Sequence, residues 1–425
     1  MPAVAVAAGL EAAFARYAER NPESLRLHEE RARVLPGGNT RTTIHLEPFP
    51  LTIVRGEAAR LRDADGHEYA DLLGEYTAGL LGHSHPAVVA AIREALADGL
   101  VLGATNRYEA GLAERICARF PSIQLVRFAN SGTEANLLAL SLAREATGRP
   151  AVLVFSGGYH GSLLAFGHGG SPLNVPFPFV RAEYNDAEGA LGAIAEHGHE
   201  LAAVIVEPVQ GSGGVIAGDE EFLRALRAAT EERGILLVFD EVMTSRLSAG
   251  GMQEALGIAP DLTTLGKYVG GGLSFGAFGG RADLLERFDP SRPDALTHGG
   301  TFNNEVLTMA AGAAALDVLT AAEIGRVNAL GDRLRERLNA FAAERGLEFC
   351  ATGRGSMVGL HPTAGPVRRE GDLPDAAAWR TLLHLHALER GYSYGRRGFV
   401  ALSLPLGEAE VDGFAAVVEE FLAAA

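Results

Sequence analysis

One lysine stands among the 37 basic residues of this 425-residue chain, all the others being arginine. It is Lys267, in the stretch TTLGKYVGGG, just before a run of glycines. A guanidinium stays protonated and is a poor nucleophile. An amine loses its proton when its surroundings lower its pKa, and it then attacks a carbonyl to form a Schiff base. Carbonyl chemistry would preserve one lysine in a chain that otherwise uses arginine. A chance surface charge would leave the same count, so the neighbouring motifs must decide.

A pyridoxal phosphate site needs a lysine, an anion cradle, a carboxylate for the pyridine nitrogen and a flat group against the ring. NSGTEAN, residues 130–136, puts Ser131, Gly132 and Thr133 at a strand-to-helix junction. Free backbone N–H groups and the helix dipole favour a phosphate there, although the same residues also suit an ordinary N-cap. VFDEV, residues 238–242, puts Asp240 at the carboxyl end of a buried strand, the edge where ligands of open α/β sheets gather. A carboxylate there holds a pyridine nitrogen protonated; an acid capping the next turn is the plainer alternative. SGGYHGS, residues 156–162, offers Tyr159 for stacking, with His160 beside it. Simple packing of that aromatic remains open.

These groups need elements to position them. AVLVFS (151–156), LAAVIVEPV (201–209) and GILLVFDEV (234–242) are near-continuous apolar runs, as expected of strands buried on both faces. LVRFANS (125–131) and LTTLG (262–266) are two further strands. The spacing predicts a helix over 133–148, stopped by Gly148, and another between the second and third apolar runs. That alternation predicts an α/β domain with a largely parallel sheet. Residues 60–74 read as a hairpin around Asp65-Gly66. Helical patterns dominate from about Leu307, followed by short β segments and a last helix. The expected organisation is an N-terminal segment at 1–60, a large domain at 61–310 and a small α+β domain at 311–425.

A formal net charge of −16 argues against general affinity for nucleic acid or acidic membranes. Cys117 and Cys350 are too few for a disulfide framework or a thiolate metal site. GHSHP (82–86) and HLH (384–386) lack metal-ligand spacing, so no metal is expected. No signal peptide or membrane-spanning run is read, and a cytoplasmic location is expected.

NSGTEAN, GGYHG, EPVQG, VFDEV, LGKYVGGG and HGGTFNNEVL, in this order, resemble the class III aminotransferases of pyridoxal phosphate fold type I. The resemblance runs from about Gly37 to the C-terminus and implies roles at matching positions. Lys267 would carry the Schiff base and shuttle the proton, and Asp240 would pair with the pyridine nitrogen. Ser131, Gly132 and Thr133 would bind the phosphate. Tyr159 would stack on the ring, Met243 would cover its other face, and Glu207 would be an acid near the cofactor. Thr301 would reach the phosphate of a neighbouring subunit, which requires a homodimer with active sites at its interface. The implied reactants are an amino donor and a keto acid acceptor, pyruvate or 2-oxoglutarate.

Within the family, LPGGNTRTTIHLEPFPL (35–51) is more similar to the β-phenylalanine, or β-amino acid, aminotransferase branch than to glutamate-1-semialdehyde aminomutase. In that branch the arginine of GGNTR, here Arg41, binds a substrate carboxylate, which a guanidinium fork suits. YGRRGF (394–399) offers Arg396 and Arg397 for the acceptor carboxylate, with Arg397 preferred. Glu75 and Tyr76 sit in a segment that walls the substrate pocket in relatives, and core packing is the alternative for them. The aminomutase and a broad ω-amine aminotransferase stay as alternative activities. A non-catalytic sensor is disfavoured by the lysine, the aspartate and the cradle. A nucleotide-binding protein is disfavoured because Tyr268, not Ser or Thr, follows Lys267.

Overall fold

The computed structural model describes residues 3–424; residues 1, 2 and 425, at the outer ends of the expected terminal segments, lie outside the described residues. Its centre is a seven-stranded sheet in the order Leu125–Ala129, Gly276–Gly280, Leu262–Gly266, Leu236–Asp240, Leu201–Val206, Ala151–Phe155 and Phe179–Ala182. Only Gly276–Gly280 runs against its two neighbours; the other pairings are parallel. The strands Ala151–Phe155, Leu201–Val206 and Leu236–Asp240 are buried at every position. This explains their unbroken apolar runs: helices cover both faces of the sheet, so neither face alternates with polar residues. The fold is the α/β class expected, with the sheet largely parallel.

Two chain features fix where the strands hand over to helices. Ser131 caps the helix Gly132–Thr147, and its side chain accepts from the Glu134 N–H. Gly148 ends that helix in the left-handed region, at φ 66°. The helix packs its buried alanines and leucines, Ala135, Ala139, Leu140 and Ala143 among them, on the sheet. Truncating a fully buried leucine in such a core costs about 2–5 kcal/mol.

Two smaller sheets flank the centre. Cys350–Arg354, Met357–His361 and Phe399–Ala401 form an antiparallel one. The other joins Ile53–Glu57, Arg60–Asp63 and Glu68–Asp71 to Tyr392–Ser393. The hairpin around Asp65-Gly66 therefore pairs, through Glu68–Asp71, with a strand over 300 residues later. Spacing along the chain carries no sign of this pairing.

No single described helix is long and apolar enough to cross a membrane. Val306–Val318 and Ala321–Arg345 meet the length and composition requirement only as a pair, bent by 77°. Among the described residues, no three His, Cys, Asp or Glu side chains gather as a metal site. His83 instead bonds Asp71 at 2.9 Å, and His384 is buried in the C-terminal part.

Candidate active site

Asp240 ends its strand buried at 3% exposure. Its Oδ2 accepts from Asn136 Nδ2 at 2.9 Å and pairs with His160 Nδ1 at 2.8 Å. Its Oδ1 accepts from the Val242 N–H at 3.0 Å. Asn136 closes the network: its Oδ1 accepts from Thr264 Oγ1 at 2.7 Å, and its Nδ2 also donates to the His160 carbonyl at 3.0 Å. Burial pulls the His160 imidazolium down. The hydrogen bond and charge of Asp240, with the charge of Glu207, nevertheless carry its pKa above the ordinary histidine value. Asn136, His160 and the Val242 N–H together fix the Asp240 carboxyl group in orientation.

Asn136, His160 and Thr264 were not assigned roles from the sequence. Asn136 had a legible signal, since it is the one buried polar residue on an otherwise apolar helix face. Thr264, on the strand beside Asp240, had none.

Lys267 follows the strand Leu262–Gly266, whose Thr264 pairs with Asp240 across the ladder. Its backbone is left-handed, at φ 55°, which costs a non-glycine residue about 1–2 kcal/mol. Strain of this kind persists where the surrounding structure over-determines it, often at functional sites. Burial pushes the Lys267 ammonium below the usual lysine range. Asp240, Glu75 and Glu207 oppose that shift, and Arg41 adds to it. All four charges act on this one amine, although Glu75 and Arg41 come from distant segments.

The phosphate candidates meet the same strand edge. Ser131 Oγ takes the Glu134 N–H, and the Gly132 and Thr133 N–H groups, at the first turn, have no acceptor within the helix. Gly161 passes so close that a Cβ there would lie 2.2 Å from Thr133 Oγ1. The loop carrying Tyr159 and His160 thus folds directly onto the helix start. Tyr159 itself is 45% exposed.

Glu207 is buried, and both its carboxylate oxygens are occupied: Oε2 by the Tyr159 N–H at 2.9 Å, Oε1 by the Gly211 N–H at 3.0 Å. Burial pushes its pKa up to about 7. Its direct contacts tie together the two loops carrying Tyr159 and Gly211. Met243 faces that second loop, since a Cβ on Gly211 would come within 2.4 Å of its Sδ.

Arg41 pairs with Glu75, and Tyr76 donates its hydroxyl to the Thr43 carbonyl at 3.2 Å. Burial raises the Tyr159 phenol, while the charges of Arg397 and Arg41 act against it. Both guanidiniums therefore lie within electrostatic reach of Tyr159. Arg396 instead lines a cavity of about 440 Å³ together with Arg41, Glu75, Tyr76 and His384. Thr301 is exposed, on a segment that Asn303 fastens to Asn130 at 3.0 Å. No hydrogen bond joins Thr301 to Ser131–Thr133 within the described chain.

A buried lysine amine, a fixed carboxylate, free N–H groups at a helix start and an exposed aromatic converge on one sheet edge. They fit pyridoxal phosphate: Lys267 would hold it covalently, Asp240 at its ring nitrogen, and the 131–133 turn at its phosphate. The close approach of Gly161 to Thr133 shapes the turn that the phosphate needs.

Comparison with known proteins agrees with this convergence. The family model "Aminotransferase class-III" matches residues 43–378. The chain is 50% identical to the β-phenylalanine transaminase of Variovorax paradoxus over 424 residues, covering 99% of this chain and 98% of that one. A crystal structure of a β-phenylalanine aminotransferase from V. paradoxus superposes with a TM-score of 0.97 at 50% identity, covering 99% of this chain and 98% of that chain. A glutamate-1-semialdehyde 2,1-aminomutase of Sorangium cellulosum is 39% identical, covering 96% of this chain and 98% of that one. With a family model spanning most of its length and a half-identical relative matched end to end, the chain belongs to the class-III aminotransferase family.

Proposed function

We propose that this pyridoxal phosphate-dependent aminotransferase takes its amino group from a β-amino acid with an aromatic side chain and passes it to a keto acid such as pyruvate or 2-oxoglutarate. The observation that carries this reading is Arg41. Its guanidinium pairs with Glu75 and lines a cavity with Tyr76, on a segment separate from the cofactor cradle. A carboxylate bound there would leave the donor's amine free to reach the reacting centre. The 50% identical relative named for β-phenylalanine supports the same reading.

When bound, pyridoxal phosphate supplies an aldehyde for the donor's amine and an electron-poor ring that accepts the electron pair of the broken C–H bond. The chain's residues do the rest. Asp240, braced by Asn136 and His160, holds a proton on the ring nitrogen. Lys267, its pKa lowered by burial, would take the proton from the amine-bearing carbon of the donor. Ser131, Gly132 and Thr133 would hold the phosphate, and Tyr159 and Met243 would hold the ring. Glu207 holds the Tyr159 loop in place. Arg397 is the candidate for the acceptor carboxylate on the family resemblance of the YGRRGF segment.

Arg41→Ala is expected to lower kcat/KM for β-phenylalanine by about 10–100-fold, the worth of a charge-assisted fork. Activity on 1-phenylethylamine, which has no carboxylate, should change little. Equal losses on both donors would remove Arg41 from this role. The aminomutase reading predicts turnover of glutamate-1-semialdehyde with no keto acid added, and the lower 39% identity to that branch favours it less.

The homodimer belongs to the same proposal. Leu100, Val101, Leu102 and Phe302 expose 47–72% of their surface, the kind of apolar surface that marks an interaction face. Phe302 adjoins Thr301, which is free to reach a partner's phosphate site. Light scattering should give twice 44.6 kDa, and Val101→Asp with Phe302→Asp should halve the mass and remove most of the activity. A variant that is monomeric but fully active would overturn this arrangement. The free thiols Cys117 and Cys350 support a reducing cytoplasm as the compartment.

A further inference from the structure

The segment presenting Glu75 is conformationally unusual. Four consecutive residues, Gly74, Glu75, Tyr76 and Thr77, have positive φ of 50°, 49°, 52° and 80°. Three of them are not glycine, and each costs about 1–2 kcal/mol in that region. The turn is closed by the Gly79 N–H on the Gly74 carbonyl at 2.7 Å. Asp71 Oδ1 caps its start, accepting from the N–H groups of Leu73 and Gly74 at 2.8 and 3.1 Å. Such strain, over-determined by its surroundings, points to a functional use of the side chains it presents.

Those side chains both engage the segment that carries Arg41. Tyr76 holds the Thr43 carbonyl, and Glu75 pairs with Arg41 itself. Arg41 and Glu75 are each about half exposed, so the pair can open without stripping a buried charge of its partner. Among the described residues, Glu75 is also the only acid lining the adjacent cavity, whose basic residues include Arg31, Arg41 and Arg396. Without it, that wall would attract anions with no internal competitor.

We infer that Glu75 is the internal anion that a substrate carboxylate must displace from Arg41, and that it sets the enzyme's discrimination between carboxylate-bearing donors and plain amines. The inference rests on the assignment of Arg41 as carboxylate ligand. With the pair closed, Arg41 offers no free charge, which suits a donor with an uncharged substituent. With a carboxylate bound, Glu75 turns to solvent and Arg41 keeps its charge balanced. Glu75 is thus a positioning and specificity residue that acts through Arg41. A mere brace for the Arg41 segment would have the opposite sign, because its removal would weaken carboxylate binding.

The test is calorimetric binding of 3-phenylpropanoate, a carboxylate with no amine, to the cofactor-loaded enzyme. It is applied to the wild type, Glu75→Gln, Glu75→Asn, Arg41→Ala and Arg41→Ala/Glu75→Gln. Asparagine tolerates a left-handed backbone, so one variant removes the charge without adding strain. Both Glu75 variants should bind about two- to five-fold tighter, the range for releasing a half-exposed ion pair. KM for β-phenylalanine should fall, and KM for 1-phenylethylamine should not fall with it. In the Arg41→Ala background, Glu75→Gln should change nothing. Weaker or unchanged binding in both Glu75 variants, or tightening that survives without Arg41, overturns the inference alone if Arg41→Ala still weakens binding. Unchanged binding in Arg41→Ala overturns the carboxylate assignment and the inference with it.

Discussion

Lys267→Ala is expected to lower amino transfer by at least about 10⁴-fold while leaving a folded protein. Two losses combine. The amine that would hold the cofactor is gone, and so is the base that moves the proton, a role worth about 10²–10⁴ by itself. Lys267→Arg should fare no better, since a guanidinium keeps its proton even when buried. Folding should survive, because the Lys267 amine enters no ion pair or hydrogen bond among the described residues and the turn beyond it rests on the buried Tyr268 and Val269. The check is single-turnover kinetics joined to peptide mapping. Borohydride treatment of the cofactor-loaded wild type should add the cofactor's mass to the peptide containing residue 267, and none in either variant. An adduct elsewhere, or a variant with near-normal turnover, would remove the centre of the proposed site.

Asp240→Asn should cost about 10²–10³ in kcat, the usual loss when one preorganised electrostatic partner is removed. The amide cannot hold a proton on the ring nitrogen by charge. It also disturbs its own neighbours, because Oδ2 serves Asn136 and His160 at once. An amide nitrogen turned that way meets two donors, whereas an amide oxygen there leaves the nitrogen facing the Val242 N–H. The loss should fall on kcat more than on KM, since Asp240 would act on the cofactor and not on the substrate. His160 should respond as well. Its pKa is raised by the hydrogen bond and charge of Asp240, so the variant should bring it down. In the linkage sense, an elevated histidine pKa contributes stability that is present at low pH and lost as pH rises through the folded value. The wild type should therefore lose that increment on the alkaline side of the ordinary histidine range, and Asp240→Asn should show less of it. Thermal melts of both proteins across that range provide the measurement. Parallel curves would show that the pair does not couple as its geometry indicates.

Arg246 shows how the same physics serves the scaffold. It is buried at 1% exposure with no acidic partner among the described residues, bonding Ser356 Oγ at 3.1 Å and the Leu402 carbonyl. Burial lowers its pKa to about 10. A lysine there would offer neither the two-directional fork nor the same tolerance of burial. This gives a second physical reason, besides reactivity, for a chain with arginine at every basic position but one.

Local information was plain in the sequence wherever one element carried the signal. Continuous apolar runs marked the central strands because helices cover both sheet faces. Ser131 and Gly148 marked a helix's two ends through capping chemistry, and the lone Lys267 stood out because no other side chain in the chain can become a neutral amine. Convergence was decided only by the tertiary structure. Asp240 meets Asn136 from 104 positions away and His160 from 80; Arg41 meets Glu75 across 34. Arg396 and Arg397 are neighbours in sequence, yet of the two only Arg396 is among the described residues lining the cavity that holds Arg41 and Glu75. The physical reason is that periodicity and capping are properties of a segment and its own backbone. Which distant side chains share a charge or a proton depends on strand order and loop packing, and those are settled by burial summed over the whole chain.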